Sequence, residues 1–207
     1  MSDLSFTHLD PLGRARMVDV TPKEATHRRA VARCKVWMKP ETTLAIANRE
    51  VKKGDVLSVA RVAGIQAAKR TSDMIPLCHP LLVGSVSVNF DIGDDHVAVE
   101  AQVDTVDRTG VEMEALHACA TAALTIYDMC KSADRGMVIG ELTLWEKTGG
   151  RTGTYRRPEA VPDGPSDTGD GDGGRTDPSA RPPAHPPADV SDGTTVVATS
   201  TANVVES

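Results

Sequence analysis

The chain has 207 residues, 40% of them hydrophobic, enough for one domain with a genuine core and a surplus beyond it. No apolar run approaches the ~20 residues of a membrane span, and Met1-Ser2-Asp3 opens without the basic and apolar stretches of a secretory leader, so a cytoplasmic protein with no membrane partner is expected. The net charge of −6 misleads: residues 158–207 hold nine acids against two bases, leaving twenty acids and twenty-one bases in 1–157, a near-neutral part whose charge argues neither for nor against a nucleic-acid partner.

In chain order, Met17-Val18-Asp19-Val20 ends a polar start and reads as a surface arm that docks one strand. From Arg29 to Met38 the pattern has period two, with Ala30, Ala32, Cys34, Val36 and Met38 on one face, as in a half-buried strand. Pro40 stops it and starts a short helix over Glu41–Asn48. After a basic loop containing Lys52 and Lys53, Asp55 caps a longer helix whose stripe is Val56, Val59, Ala60, Ala63, Ile65, Ala67 and Ala68. Lys69 and Arg70 fall in its last turn, where the helix dipole favours cations.

Pro76 and Pro80 then clamp Leu77-Cys78-His79 in a stiff turn. Cys78 and His79 are adjacent on extended backbone and point to opposite faces, so they cannot form a catalytic dyad with each other. Val83–Asp91, the turn Gly93-Asp94-Asp95 and Val97–Val106 make an antiparallel hairpin. A helix of about twenty residues follows Gly110 and runs to Ser132 or Ala133. Glu112 and Glu114 lie in its first turn. Asp128 and Lys131 share one face near its end. Two apolar rows run along it, one through Met113, Leu116, Ala120, Leu124 and Tyr127, the other through Ala115, Cys119, Ala122, Ile126 and Cys130. Met137–Lys147 is the last strand. The order β-α-β-β-α-β is the ferredoxin-like α+β pattern with an antiparallel sheet, a fold that does not decide function. Residues 158–207 hold eight of thirteen prolines and no aromatic residue, so 1–157 reads as the domain and 158–207 as a disordered acidic tail.

Taken singly, each polar group has a bland explanation: Cys78 as a buried thiol, the glutamates as dipole partners, Asp128 and Lys131 as a surface ion pair. Together, Cys, His, Glu, Asp and Lys around the same element ends form a set able to move protons. Four scattered cysteines without C-x-x-C spacing suit reduced thiols and give no metal framework. The phosphate loop G-x-x-x-x-G-K-[ST] and the elbow G-x-S-x-G are absent. At 3% aromatic content, platforms for stacking bases are scarce.

The stretches Ala63-Gly64-Ile65-Gln66-Ala67-Ala68-Lys69-Arg70-Thr71, Ile75-Pro76-Leu77-Cys78-His79-Pro80-Leu81, Gly110-Val111-Glu112-Met113-Glu114-Ala115-Leu116 and Ala122-Ala123-Leu124-Thr125-Ile126-Tyr127-Asp128-Met129-Cys130-Lys131 resemble the cyclic pyranopterin monophosphate synthases of molybdenum cofactor biosynthesis. Met137-Val138-Ile139-Gly140 and Lys147-Thr148-Gly149-Gly150 extend the resemblance, which covers about residues 8–155. It implies a ferredoxin-like subunit in a homohexamer, a trimer of dimers, with active sites between subunits. It implies a lyase that converts a cyclised dihydroguanosine triphosphate to cyclic pyranopterin monophosphate and diphosphate, with no metal or organic cofactor. By the same resemblance Asp128 and Lys131 are the central acid/base pair and Lys53 a further proton carrier. Leu77, Cys78, His79, Glu112, Met113 and Glu114 line the base and sugar pocket, and Lys69 and Lys147 hold phosphates. Lys131 sits beside Cys130 and Met129, where desolvation would lower its pKa. The alternative is a ferredoxin-like module that binds a small ligand without turning it over.

Overall fold

In β1 (Thr26–Trp37) the side chains alternate across the sheet, and Ala30, Ala32, Cys34 and Val36 point into the core with at most 2% of their surface exposed. The computed structural model describes residues 8–158; the expected tail lies, but for Pro158, outside the described residues. After β1 come α1 (Pro40–Ala47), α2 (Val56–Ala68), the single turn α3 (Thr71–Met74), β2 (Ser85–Ile92), β3 (His96–Asp107), α4 (Glu112–Cys130), β4 (Val138–Thr148) and the two-residue β5 (Tyr155–Arg156). The strands pair antiparallel in the order β2-β3-β1-β4-β5. The first four give the ferredoxin-like arrangement expected from the element order, with α2 and α4 packed on one face.

Local chemistry accounts for most boundaries. Pro40 opens α1 at a position where its missing N–H costs nothing. Asp55 caps α2 by accepting the Ser58 N–H at 3.0 Å. The β2–β3 hairpin closes through Gly93, whose N–H donates to the His96 carbonyl at 2.9 Å. Asp134, 2% exposed, follows α4 and ties its end to the start of α1. Its carboxylate accepts from the Lys39 N–H at 2.8 Å, the Thr42 hydroxyl at 3.3 Å and the Gly136 N–H at 3.1 Å. A buried carboxylate needs such donors to offset its lost hydration.

The core lies between the sheet and the two long helices. Of the two apolar rows on α4, the one through Ala115, Cys119, Ala122, Ile126 and Cys130 is buried against the sheet. The other is only partly open: Met113 is 37% exposed and Leu124 59%, while Leu116 and Tyr127 pack half-buried against the core. On α2 the buried positions are Val56, Ala60, Gly64, Ala67 and Ala68. Val59, expected in the stripe, is exposed, because α2 turns its small residues toward α4. Gly64 sets that approach: a Cβ there would stand 2.9 Å from the Ala118 carbonyl oxygen and 3.1 Å from Val88 Cγ2. Met17–Val20 runs outside the sheet and pairs with no strand, contrary to the docked arm expected from its pattern. No helix among the described residues is long and apolar enough to cross a membrane.

Gly64→Ala is therefore expected to destabilise the protein by about 1–3 kcal/mol, although in an open helix alanine would gain ~1 kcal/mol. Urea midpoints at fixed protein concentration measure it; an unchanged or raised midpoint would show that α2 and α4 separate freely.

Candidate active site

The C-terminal turn of α4 carries one charged cluster. Asp128 and Lys131 lie three residues apart on one face, and Lys131 Nζ is 2.7 Å from Asp128 Oδ1. Because α2 runs antiparallel to α4, the loop before α2 arrives at this same end. It delivers Lys53, whose Nζ donates to the Asp128 main-chain carbonyl at 2.7 Å and to Oδ2 at 3.1 Å. One carboxylate is thus held between two ammonium groups, all three about half exposed. Hydrogen bonds from Lys131 and then Lys53 keep the Asp128 carboxyl below its ordinary range. Asp128 in return holds the Lys131 ammonium above its ordinary value. The lowering expected for Lys131 is not found. Met129 and Cys130 bury their side chains in the core, while the Lys131 ammonium projects into solvent against a carboxylate.

The N-terminal end of α4 carries a second cluster. Glu114 is 4% exposed, and burial, with the Glu112 charge adding to it, lifts its carboxyl to about 7. Glu112 is half-buried and folds back over Gly110, where any Cβ would collide with its carboxylate. Met113 is exposed. The turn after α3 reaches this end too, since α3 follows α2 and packs on α4 through Thr71 Oγ1 and His117 Nδ1 at 3.3 Å. Leu77, Cys78 and His79 are all half-buried there, and the Cys78 N–H closes the turn on the Ile75 carbonyl at 3.1 Å. Burial and the nearby Glu114 push the Cys78 thiol up. His79 lies near enough to Asp19 to help hold that carboxyl down, after the stronger effect of the Thr21 N–H, so the 17–20 arm returns to this end.

The two cations assigned to phosphates differ in setting. Lys69 is exposed at the C-cap of α2. Lys147, in β4, lines a cavity of about 430 Å³ shared with Glu112 and Leu144. Its far wall is the segment after the Gly149-Gly150 turn (φ +90° and +80°): Thr152, Thr154, Tyr155 and Arg157. Pattern reading missed this wall because the segment abuts a compositional boundary and its strand has only two residues. It also missed His117, whose signal is its place one turn after Met113 and Glu114. Among the described residues no three His, Cys, Asp or Glu side chains converge to hold a metal ion.

One chain does not unite the expected site. From Glu114 to Asp128 the helix rises by roughly 21 Å, at ~1.5 Å per residue. Proton transfer needs contact near ~3 Å. Glu114, Cys78, Glu112 and Lys147 gather at one end, and Lys53, Asp128 and Lys131 at the other.

Glu114 has a thermodynamic signature. An ordinary glutamate ionises near 4.5, and here the folded chain holds the proton up to about 7. The native state binds the extra proton between those values, so stability falls as pH rises through the window and is lowest above it. Glu114→Gln should flatten that slope and exceed wild type near pH 8 by about 1–3 kcal/mol, the order set by ~1.4 kcal/mol per unit. Denaturant midpoints across pH check this; a slope that survives the substitution belongs to another group.

Comparison with known proteins extends these observations. The MoaC family model matches residues 17–150, from the 17–20 arm through the Gly149-Gly150 turn. A protein of Thermomicrobium roseum named cyclic pyranopterin monophosphate synthase is 58% identical over 154 residues, 73% of this chain and 93% of its own length. One from Roseiflexus sp. with the same name is 58% identical over 157 residues, covering 75% and 98%. A third, from Bacillus thuringiensis, is 53% identical over 157 residues, covering 74% and 98%. Likeness that spans both end clusters of α4 and every strand of the four-stranded core is more than a shared fold: the chain belongs to the MoaC family.

Proposed function

We propose that this chain is a cyclic pyranopterin monophosphate synthase of molybdenum cofactor biosynthesis, acting on the cyclised dihydroguanosine triphosphate and releasing diphosphate. The enzyme class follows from the family and from the relatives' shared name. The observation that supports the assignment of parts is the Asp128 carboxylate bracketed by two amines, Lys131 Nζ at 2.7 Å and Lys53 Nζ at 3.1 Å, groups that can pass protons over hydrogen-bond distances.

In this reading Asp128, Lys131 and Lys53 move protons as the rings open and reclose. Leu77, Cys78, His79, Met113, Glu114 and Glu112 hold the base and sugar, and Lys69 and Lys147 the phosphates. A ribose oxygen bonds to the innermost phosphorus, the bond from that phosphorus to the bridging oxygen breaks, and diphosphate departs. Fixed cations on the phosphate oxygens stabilise the charge that develops.

The catalytic site is shared between copies of the chain in a homohexamer built from dimers. Two facts support this. The clusters stand roughly 21 Å apart along one helix, at ~1.5 Å per residue. The partly open row of α4, with Leu124, and the outward side of α2, with Val59 and Val62, expose apolar surface. A two-fold pairing that sets two α4 helices antiparallel brings the Glu114 end of one beside the Asp128 end of the other. The domain ends at 157, the tail from 158 stands outside catalysis, and the setting is the cytoplasm.

Purified protein given the cyclised nucleotide should release diphosphate and the cyclic phosphate, detected by mass, with turnover unaffected by chelators. Binding without diphosphate release would leave a ligand-binding module instead. Mixing an Asp128→Ala chain with a His79→Ala chain should restore part of the activity lost in each. Mixed hexamers, verified by native mass spectrometry, that stay inactive would rule out the shared site.

Lys131→Arg tests whether the ammonium must give up its proton. Asp128 holds Lys131 charged in the isolated chain; pairing of copies would dehydrate the cluster and disfavour that charge. Arginine, with a pKa above ~12, keeps the charge and cannot donate, so activity should fall by ~10²–10⁴ in a folded, assembled variant. Near-wild-type turnover would reduce Lys131 to an electrostatic clamp.

A further inference from the structure

The cavity beside Lys147 has a wall that neither the family match nor the expected site residues include. The match ends at residue 150, and Thr152, Tyr155 and Arg157 follow it. We propose that Arg157, with Lys147 and the hydroxyls of Thr152 and Tyr155, forms the subsite for the outer two phosphates and retains the departing diphosphate. This rests on the reading of Lys147 as a phosphate clamp and extends it to a segment with no assigned role.

The chemistry of the lining is that of an anion site. At about 430 Å³ the cavity falls within the ~300–1,000 Å³ span of small-molecule sites. Lys147 donates to the Thr152 hydroxyl. An ammonium has donors only, so that hydroxyl is the acceptor there and its own proton is directed to a further acceptor. Tyr155 adds a phenolic donor. Arg157 adds a planar guanidinium suited to two phosphate oxygens at once. Glu112 is the one carboxylate in the lining. It forms no ion pair with Lys147 or Arg157, so the cations are not neutralised from within.

Arg157 is held in place without being used up. Its N–H donates to the Trp145 carbonyl at 2.8 Å, continuing the β4–β5 pairing. Its neighbour Arg156 turns to Glu146, with Nε 3.9 Å from Oε2. Alternate residues along an extended segment face opposite ways, so Arg157 faces the cavity instead. Arg157 as a residue is half-buried, and among the described residues its guanidinium has no hydrogen-bond or ion-pair partner. An arginine anchored by its backbone and without a protein anion, beside a second cation and two hydroxyls, suits a multiply charged oxyanion. The diphosphate portion of the substrate is the one on the reaction path.

The test is calorimetric titration of inorganic diphosphate into the full-length protein, alongside steady-state kinetics with the cyclised nucleotide. Arg157→Gln should weaken diphosphate binding and raise KM by about tenfold or more while kcat stays within about threefold. Arg157→Lys, which keeps charge but loses the planar fork, should recover only part of the affinity. Melting curves confirm folding, since the side chain has no protein partner to lose. Unchanged diphosphate affinity and KM in Arg157→Gln would overturn the subsite. So would wild-type protein that binds inorganic phosphate as tightly as diphosphate, because that is attraction to any anion. Lys147→Gln run in parallel separates the two readings. If it weakens diphosphate and Arg157→Gln does not, the clamp stands and the subsite fails. If neither substitution matters, both readings fail. If only Arg157→Gln matters, the subsite stands on Arg157 without Lys147.

Discussion

Helix α4 is held to the sheet along one side for its whole length, and that attachment constrains everything else. Ala115, Ala118, Cys119, Ala122, Ala123 and Ile126 are all fully buried beneath it. Most are small, so the gain per residue is modest, and Ile126 alone approaches the ~1.5–3 kcal/mol of a large buried aliphatic. What the small residues supply is proximity. Helix and sheet meet closely enough for the Cys34 and Cys119 sulfurs to lie 3.2 Å apart, and α2 can cross at Gly64 against main chain. A helix seated so closely along nineteen residues does not bend its ends together. Its two polar termini are separated by geometry, and any chemistry using both must come from more than one copy of it.

The two ends of α4 differ in what covers them. Glu114 lies close to Cys78 in the turn after α3, and burial raises its carboxyl. Asp128 at the other end stays exposed, and two ammonium groups hold it ionised. Helical periodicity does not separate them, since fourteen residues make about 3.9 turns and leave the two side chains roughly 40° apart around the axis. Glu114 is also destabilising at neutral pH, since the fold must keep a proton on it or bury a charge. A group that costs stability in this way is a candidate for function on physical grounds.

The parts legible in the sequence are those where one local rule dominates. The alternation in β1 gave the buried face residue by residue, because a sheet covered on one side obeys period two. Asp55 and Pro40 marked helix starts, since capping is local chemistry. Clusters at element ends could be listed, and Asp128 with Lys131 could be placed on one face from spacing alone. What escaped depends on neighbours far along the chain. Val59 has the apolar character of a core residue, yet α2 is rotated by the close contact at Gly64. The charge state of Lys131 depends on which way its ammonium points. Sequence proximity to Met129 and Cys130 suggested burial, whereas the half-exposed lysine reaches back one turn to the Asp128 carboxylate. The Arg157 wall escaped because two residues of strand are too short for any periodicity to register.

The division of labour along α4 also bears on where water is excluded. In the single chain the Lys53–Asp128–Lys131 cluster is about half exposed, so its ion pairs are weakened by solvent and contribute little. At the other end the Glu114 carboxyl is already buried. If antiparallel pairing of helices lays that end against the charged one, the charged cluster loses water without losing its partners. Coulomb interactions within it then strengthen as the effective dielectric falls. Two ammonium groups around one carboxylate carry a net positive charge, and dehydration makes that charge harder to keep. Such a cluster relieves the imbalance either by releasing a proton or by meeting an anionic substrate. In the function proposed above, both would suit ring opening next to a triphosphate, and assembly of the chains would then also activate the lysines.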